Sequence, residues 1–166
     1  EDAGNAEGAI NYTFPADGNY RLRVEETYHR GGHDLVYRIV ATPYQPGFEL
    51  AAEAEKVDAP QHGVFVVKVT AARRDYNGPI TLSVTGAGEG AKLANEVIPE
   101  GKPETTLNVT LGPSLTEGTV GGIQIQGTAK IGETDFTATA STAGALRGAL
   151  AGLPYPPAAL DDTLGL

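Results

Sequence analysis

Apolar side chains recur at every second position along most of this chain, and helical spacing is almost absent. That period places successive residues on opposite faces of an extended backbone, so the chain is committed to strands. Between Phe48 and Ala140 the pattern is punctuated by turn residues into seven short runs. They begin with Phe48 and Leu50, then Val64 to Thr70, Ile80 to Val84, and Leu93 to Ile98. Thr105 to Leu111, Val120 to Ala129 and Phe136 to Ala140 follow. Seven short strands in about 95 residues is the spacing of an immunoglobulin-like sandwich, whose inner faces aliphatic side chains can fill without Trp or a disulfide.

An upstream set alternates in the same way. Ile10, Tyr12 and Phe14 share one face, as do Tyr20, Leu22 and Val24, and Leu35, Tyr37 and Ile39. Asp17-Gly18 is a turn signal, and Gly31-Gly32 permits positive φ in the second connection. Residues 8–42 therefore read as a three-stranded antiparallel meander. Such a remnant has an apolar face with no second layer and at least one raw edge. The expected organisation is a partial sheet over 1–43, a Pro/Gly-stiffened linker over 44–47, a sandwich over 48–142 and an apolar tail over 143–166. The tail is rich in Ala, Gly, Leu and Pro. Leu146, Leu150 and Leu153 have helical spacing, although Gly148 and Gly152 each cost a helix about 1 kcal/mol relative to Ala. A short helix or an extended docked segment both fit. The fold class is all-β.

Composition removes several chemistries. With no Cys there is no disulfide scaffold, thiol nucleophile or Cys-ligated metal. The net charge of −9 is spread along the chain, and the one tight basic cluster, Arg73-Arg74, is followed by Asp75. Nucleic acid needs a basic stripe and is disfavoured. No run approaches the ~18 apolar residues of a membrane span. The chain opens on Glu1 rather than Met, as expected of a processed product or a piece of something longer.

Candidate sites are few. His29, His33 and Asp34 share one Gly-rich loop and are the residues that would hold a divalent metal. Two His and one Asp leave structural zinc one ligand short, so the loop reads as solvated, and no cofactor is expected. The three serines, Ser83, Ser114 and Ser141, lie outside any nucleophile elbow. Glu25-Glu26 are strand neighbours that face opposite ways. Gly86 to Gly90 lacks the dinucleotide spacing. A Lys68–Asn108 isopeptide bond would need a buried acid, while alternation against Phe65, Val67 and Val69 turns Lys68 to water. Tyr12, Tyr20 and Tyr37 read as core. Tyr28, Tyr44 and Tyr76 fall in loops or the linker and are the candidates for stacking on sugar or a protein partner. Leu146, Leu150, Leu153 and Tyr155 make the tail a candidate partner-binding segment.

The stretch Phe14-Pro15-Ala16-Asp17-Gly18-Asn19-Tyr20-Arg21-Leu22-Arg23-Val24 resembles the late strands of bacterial pre-peptidase C-terminal (PPC) domains. The likeness continues through Gly31-Gly32, Asp34 and Tyr37-Arg38-Ile39. In planctomycete-type secreted proteins such a piece is often joined to an Ig-like module. Here Arg73-Arg74-Asp75, Gly78-Pro79-Ile80-Thr81-Leu82-Ser83-Val84 and Gly127-Thr128-Ala129 are similar to the phrases of that module. The resemblance implies a bacterial, extracellular, cell-surface or periplasmic protein. A complete PPC domain is longer than the segment before the linker, so no calcium ligands are carried over. The function expected is a non-enzymatic structural or assembly module. The alternative is a carbohydrate- or protein-binding accessory module of a secreted hydrolase. A protein partner or upstream segment would complete the 8–42 sheet, and a polysaccharide is the other partner class.

Overall fold

The structure is a computed structural model that describes residues 10, 12–26, 28, 29, 31–33, 36–150, 152 and 157–166. The protein is all-β and forms two compact units, Glu1–Gln45 and Pro46–Leu166.

In the first unit no described residue belongs to a strand, so the described residues do not form the meander expected over 8–42. Alternation assigns faces but supplies no second layer. Three strands with nothing packed on them recover too little hydrophobic free energy to hold a ladder. Ile10, Phe14, Leu22, Val24 and Ile39 accordingly stay exposed, Leu22 at 62%. Tyr12 and Tyr20, expected in the core, are exposed as well, as is Tyr37. What forms instead is local. The Phe14 ring lies 5.2 Å from that of Tyr12 and 4.3 Å from that of Tyr20. The Tyr20 hydroxyl donates to the Ala16 carbonyl at 2.6 Å, closing the turn at Asp17-Gly18.

The second unit carries the sheet. Its strands are β1 (Gly47–Ala52), β2 (Val64–Arg74), β3 (Ile80–Thr85), β4 (Lys92–Ala94), β5 (Val97–Ile98), β6 (Glu104–Thr110), β7 (Gly122–Ile131), β8 (Thr134–Ser141) and β9 (Leu164–Gly165). Their order is β4-β6-β2-β1-β8-β7-β3-β5, with β9 on β7. All ladders between these strands are antiparallel except β1 with β8. Phe65, Val67 and Val69 of β2, Leu107 and Val109 of β6, Ile80 and Leu82 of β3, and Ile123 and Ile125 of β7 are buried in one cluster. β2 and β3 lie far apart in the strand order, so the sheet must curl over to let them share a core. Gly127 sits on the inner row of β7, where a Cβ would fall 2.5 Å from a Leu50 methyl and 2.9 Å from an Ile80 methyl. β1 and β7 approach too closely there for any side chain.

The single strand expected from Leu93 to Ile98 is two. Asn95 takes φ 59°, a left-handed conformation that Asn tolerates, and breaks the run. β4 then pairs with β6 and β5 with β3, so the chain crosses from one end of the strand order to the other within a few residues. The Asn95 side-chain amide donates to the Thr106 carbonyl at 3.2 Å, and the Asn95 backbone carbonyl accepts from the Thr105 hydroxyl. After β8 come α1 (Ala143–Ala149) and a 3-10 turn, Ala158–Leu160, before β9. Among the described residues no helix is long and apolar enough to cross a membrane.

Candidate functional site

The most built-up region of the second unit is where its two ends are fastened. At the front, Gly47 is buried against the ring of Phe136, where a Cβ would lie 2.8 Å from the ring edge. Phe48 follows, with its ring 5.1 Å from Phe136 and 6.1 Å from Tyr76. Directly opposite Phe48 on β2 stands Arg73. Its guanidinium donates to three carbonyls at once: Gly78 at 2.6 Å, Pro99 at 2.9 Å and Lys102 at 3.0 Å. The rigid fork of Arg suits that task, and the cation also lies 6.0 Å from the centre of the Tyr76 ring. One side chain thus ties the end of β2 to the β2–β3 turn and to the β5–β6 loop.

At the back, the chain leaves β8 through Thr142, which is 1% exposed. Its hydroxyl is 2.8 Å from the Leu160 carbonyl, 3.1 Å from that of Asp161 and 3.3 Å from that of Thr163. Its N–H also donates to the Asp161 carbonyl at 2.5 Å. This latch holds the 3-10 turn so that β9 reaches a seam. There Gly165 donates to Glu55 and accepts from Val57, while Leu166 exchanges both backbone bonds with Gly121. Gly165 bridges Lys56 in parallel, and Leu164 fills the core at 1% exposure. Beside the strap a groove of about 550 Å³ opens among Pro60, Leu111, Leu115, Thr116, Thr119 and Leu166.

Lys68 faces outward, as alternation required, with Nζ 3.2 Å from Glu53 and 3.0 Å from Glu104. The hydrogen bond to Glu104, then that to Glu53, raises its pKa above the ordinary 10.5. Such a lysine stays protonated, the opposite of what isopeptide attack on Asn108 requires.

The remaining sequence candidates are dispersed. His29 takes φ 55° and its N–H donates to the Glu26 carbonyl; His33 is exposed, and Asp34 lies outside the described residues. Among the described residues no three metal-ligating side chains come together. Tyr28 and Tyr44 are exposed, at 75% and 53%. Tyr76 is placed otherwise: its ring packs between Phe48 and Arg73, and its hydroxyl donates to the Pro79 carbonyl at 2.7 Å. In the tail, Leu146 is buried within its own chain rather than offered to a partner. Leu150 caps α1 and is 48% exposed; Leu153 and Tyr155 lie outside the described residues. Arg73 and Thr142 were missed as fasteners because their partners are backbone carbonyls, which leave no trace in residue identity. No protein-family model, curated protein or solved structure matches the chain.

Proposed function

We propose that this chain is a non-catalytic, load-bearing module of a larger secreted or cell-surface bacterial protein. The observation that carries the reading is the parallel pairing of β1 with β8, and of Lys56 just beyond β1 with β9. Leu50 and Ala51 of β1 face Ala140 and Ser141 of β8, and Lys56 faces Gly165 of β9, both in parallel. When parallel partners are pulled from the N-terminus of one and the C-terminus of the other, they are drawn past each other. Their hydrogen bonds then share the load instead of opening one after another. The Arg73 clamp and the Thr142 latch reinforce the two ends where that tension would enter.

An immunoglobulin-like assignment of the second unit belongs to the same reading. The order β4-β6-β2-β1 corresponds to strands D, E, B and A of such a sandwich, and β8-β7-β3 to G, F and C. The exposed apolar side chains of the first unit favour completion by an upstream PPC-like segment or a protein partner.

Single-molecule pulling tests the load-bearing reading. The chain has no native Cys, so Gln45→Cys with Leu166→Cys gives the shear attachment. Gln45→Cys with Asn77→Cys instead pulls on the adjacent ends of β1 and β2, where Gly47 faces Arg74, and unzips that ladder. The first attachment is expected to unfold at clearly higher force than the second. Equal forces would remove the reading.

A further inference from the structure

The outward face of β3, β7 and β8 differs in composition from the outward face of β1, β2 and β6. Two aligned rows cross it: Thr81, Thr128 and Thr137, then Ser83, Gln126 and Thr139. Thr81, Ser83, Thr128 and Thr137 are exposed, and Gln126 and Thr139 half-buried. A third pair, Thr85 and Gln124, extends the pattern, and the first charges along the ladder are Lys130 and Asp135 at its far end. Eight outward positions carry only hydroxyls and amides. The outer side of β1, β2 and β6 shows the usual mixture, with Glu49, Glu53, Lys68 and Glu104.

We infer that this face is a binding surface for a neutral polysaccharide chain. Each Thr or Ser hydroxyl both donates and accepts, and Gln126 offers two donors and an acceptor. Sugar hydroxyls present the same dual chemistry. A nucleic acid or an acidic glycan would require cations, and a protein hot spot would require aromatic or Arg anchors; the two rows contain neither. The side chains are held ready. β-Branched Thr is stiff at χ1, and the hydroxyls of Thr128 and Thr137 already sit 3.3 Å apart. Three side chains in a row span ~10 Å across adjacent strands, about the length of a disaccharide. Because the rows hold no aromatic platform, binding rests on hydrogen bonds and is weak per site.

The test is affinity electrophoresis of the full chain through gels containing hydroxyethylcellulose, xyloglucan or galactomannan, with alginate as the acidic control. Retardation is expected in at least one neutral polymer and not in alginate. Gln126→Ala, and separately the shape-preserving pair Thr128→Val with Thr137→Val, should weaken it about fivefold for each hydrogen bond lost. Lys68→Met, on the outward side of the opposite half of the sheet, should leave it unchanged. Circular dichroism confirms that each variant is folded. Three results would overturn the inference. One is no retardation in any neutral polymer. Another is retardation that survives both sets of variants, which moves binding to surfaces such as Tyr28 and Tyr44. The third is a concentration-dependent dimer lost in the same variants, which makes a second copy the occupant.

Discussion

Thr142→Val removes one hydroxyl from the point where the C-terminal strap is latched, and the structure sets the size of the effect. Thr142 is 1% exposed and its hydroxyl contacts are part-buried, so solvent replaces the lost donor only in part for the carbonyls of Leu160, Asp161 and Thr163. The hydroxyl has one proton, hence one strong bond, and its nearest acceptor is Leu160 at 2.8 Å. The Leu160 carbonyl is part-buried and still accepts from the Thr163 N–H at 3.4 Å, so losing the hydroxyl costs about 1–1.5 kcal/mol. The added methyl returns at most ~0.8 kcal/mol. The Thr142 N–H keeps its bond to the Asp161 carbonyl. A net loss of about 0.5–1 kcal/mol corresponds to about a 2- to 5-fold change in an opening equilibrium.

The loss should fall on the strap and not on the whole unit, because β9 is held by few bonds and can open as a local unit. Amide hydrogen exchange reads this directly. The amides of Val57, Gly165 and Leu166, which donate to Gly165, Glu55 and Gly121, should lose protection by that factor. Amides deep in the β2–β6 ladder, such as Val67, should not change. Thr142→Ser, which keeps the hydroxyl, should restore most of the protection. If the strap amides are unaffected, Thr142 is not a latch. If every amide loses protection equally, it serves the whole core, and the separation of strap from sheet is wrong.

Arg73→Ala should cost about 2–3 kcal/mol, since three carbonyls lose a charged donor although two of the contacts are solvent-exposed. Arg73→Lys keeps the charge but not the fork and should lose about half as much; a wild-type urea midpoint for the lysine variant, followed by tyrosine fluorescence, would show that charge alone matters. Lys68 is raised by Glu104 first and Glu53 second, so its stabilising pair is present below its unfolded pKa and fades only as pH climbs through the higher folded value. Glu104→Gln should move the Lys68 titration, followed by NMR at its side chain, down toward 10.5, and further than Glu53→Gln does.

The strands of the second unit were legible because each buries one face against another layer. Phe65, Val67 and Val69 alternate in sequence and are buried in the core for the same reason. The identical pattern at Tyr20, Leu22 and Val24 led to no strand, since alternation tells which residues would share a face and not what would cover it. Asn95 was opaque for a different reason: one left-handed residue splits a run without disturbing its apolar content. β9 is too short for any period to be read, and its only local signal, Leu164, looks like any other leucine of the tail. Arg73 could be picked out as part of a phrase, yet its targets at Gly78, Pro99 and Lys102 are set by three separate turns.

The two proposals make different demands on the same sheet, and the geometry lets both be met. Tension between residues 46 and 166 would run through β1, β8, β9 and the segment around Lys56, in the plane of the hydrogen bonds. The Thr/Ser/Gln rows instead use side chains standing perpendicular to that plane, mainly on β3 and β7. β8 is the one element common to both, through Ala140 and Ser141 for load and Thr137 and Thr139 for the face. A ligand held across Thr128 and Thr137 would therefore bridge β7 to β8, the strand that pairs in parallel with β1. Unfolding force in the residue 45–166 attachment should then rise when the neutral polymer that binds is present, and the Thr128→Val with Thr137→Val variant should lose that increment. An increment that persists in the variant would mean the polymer acts elsewhere, and the coupling through β8 would be wrong.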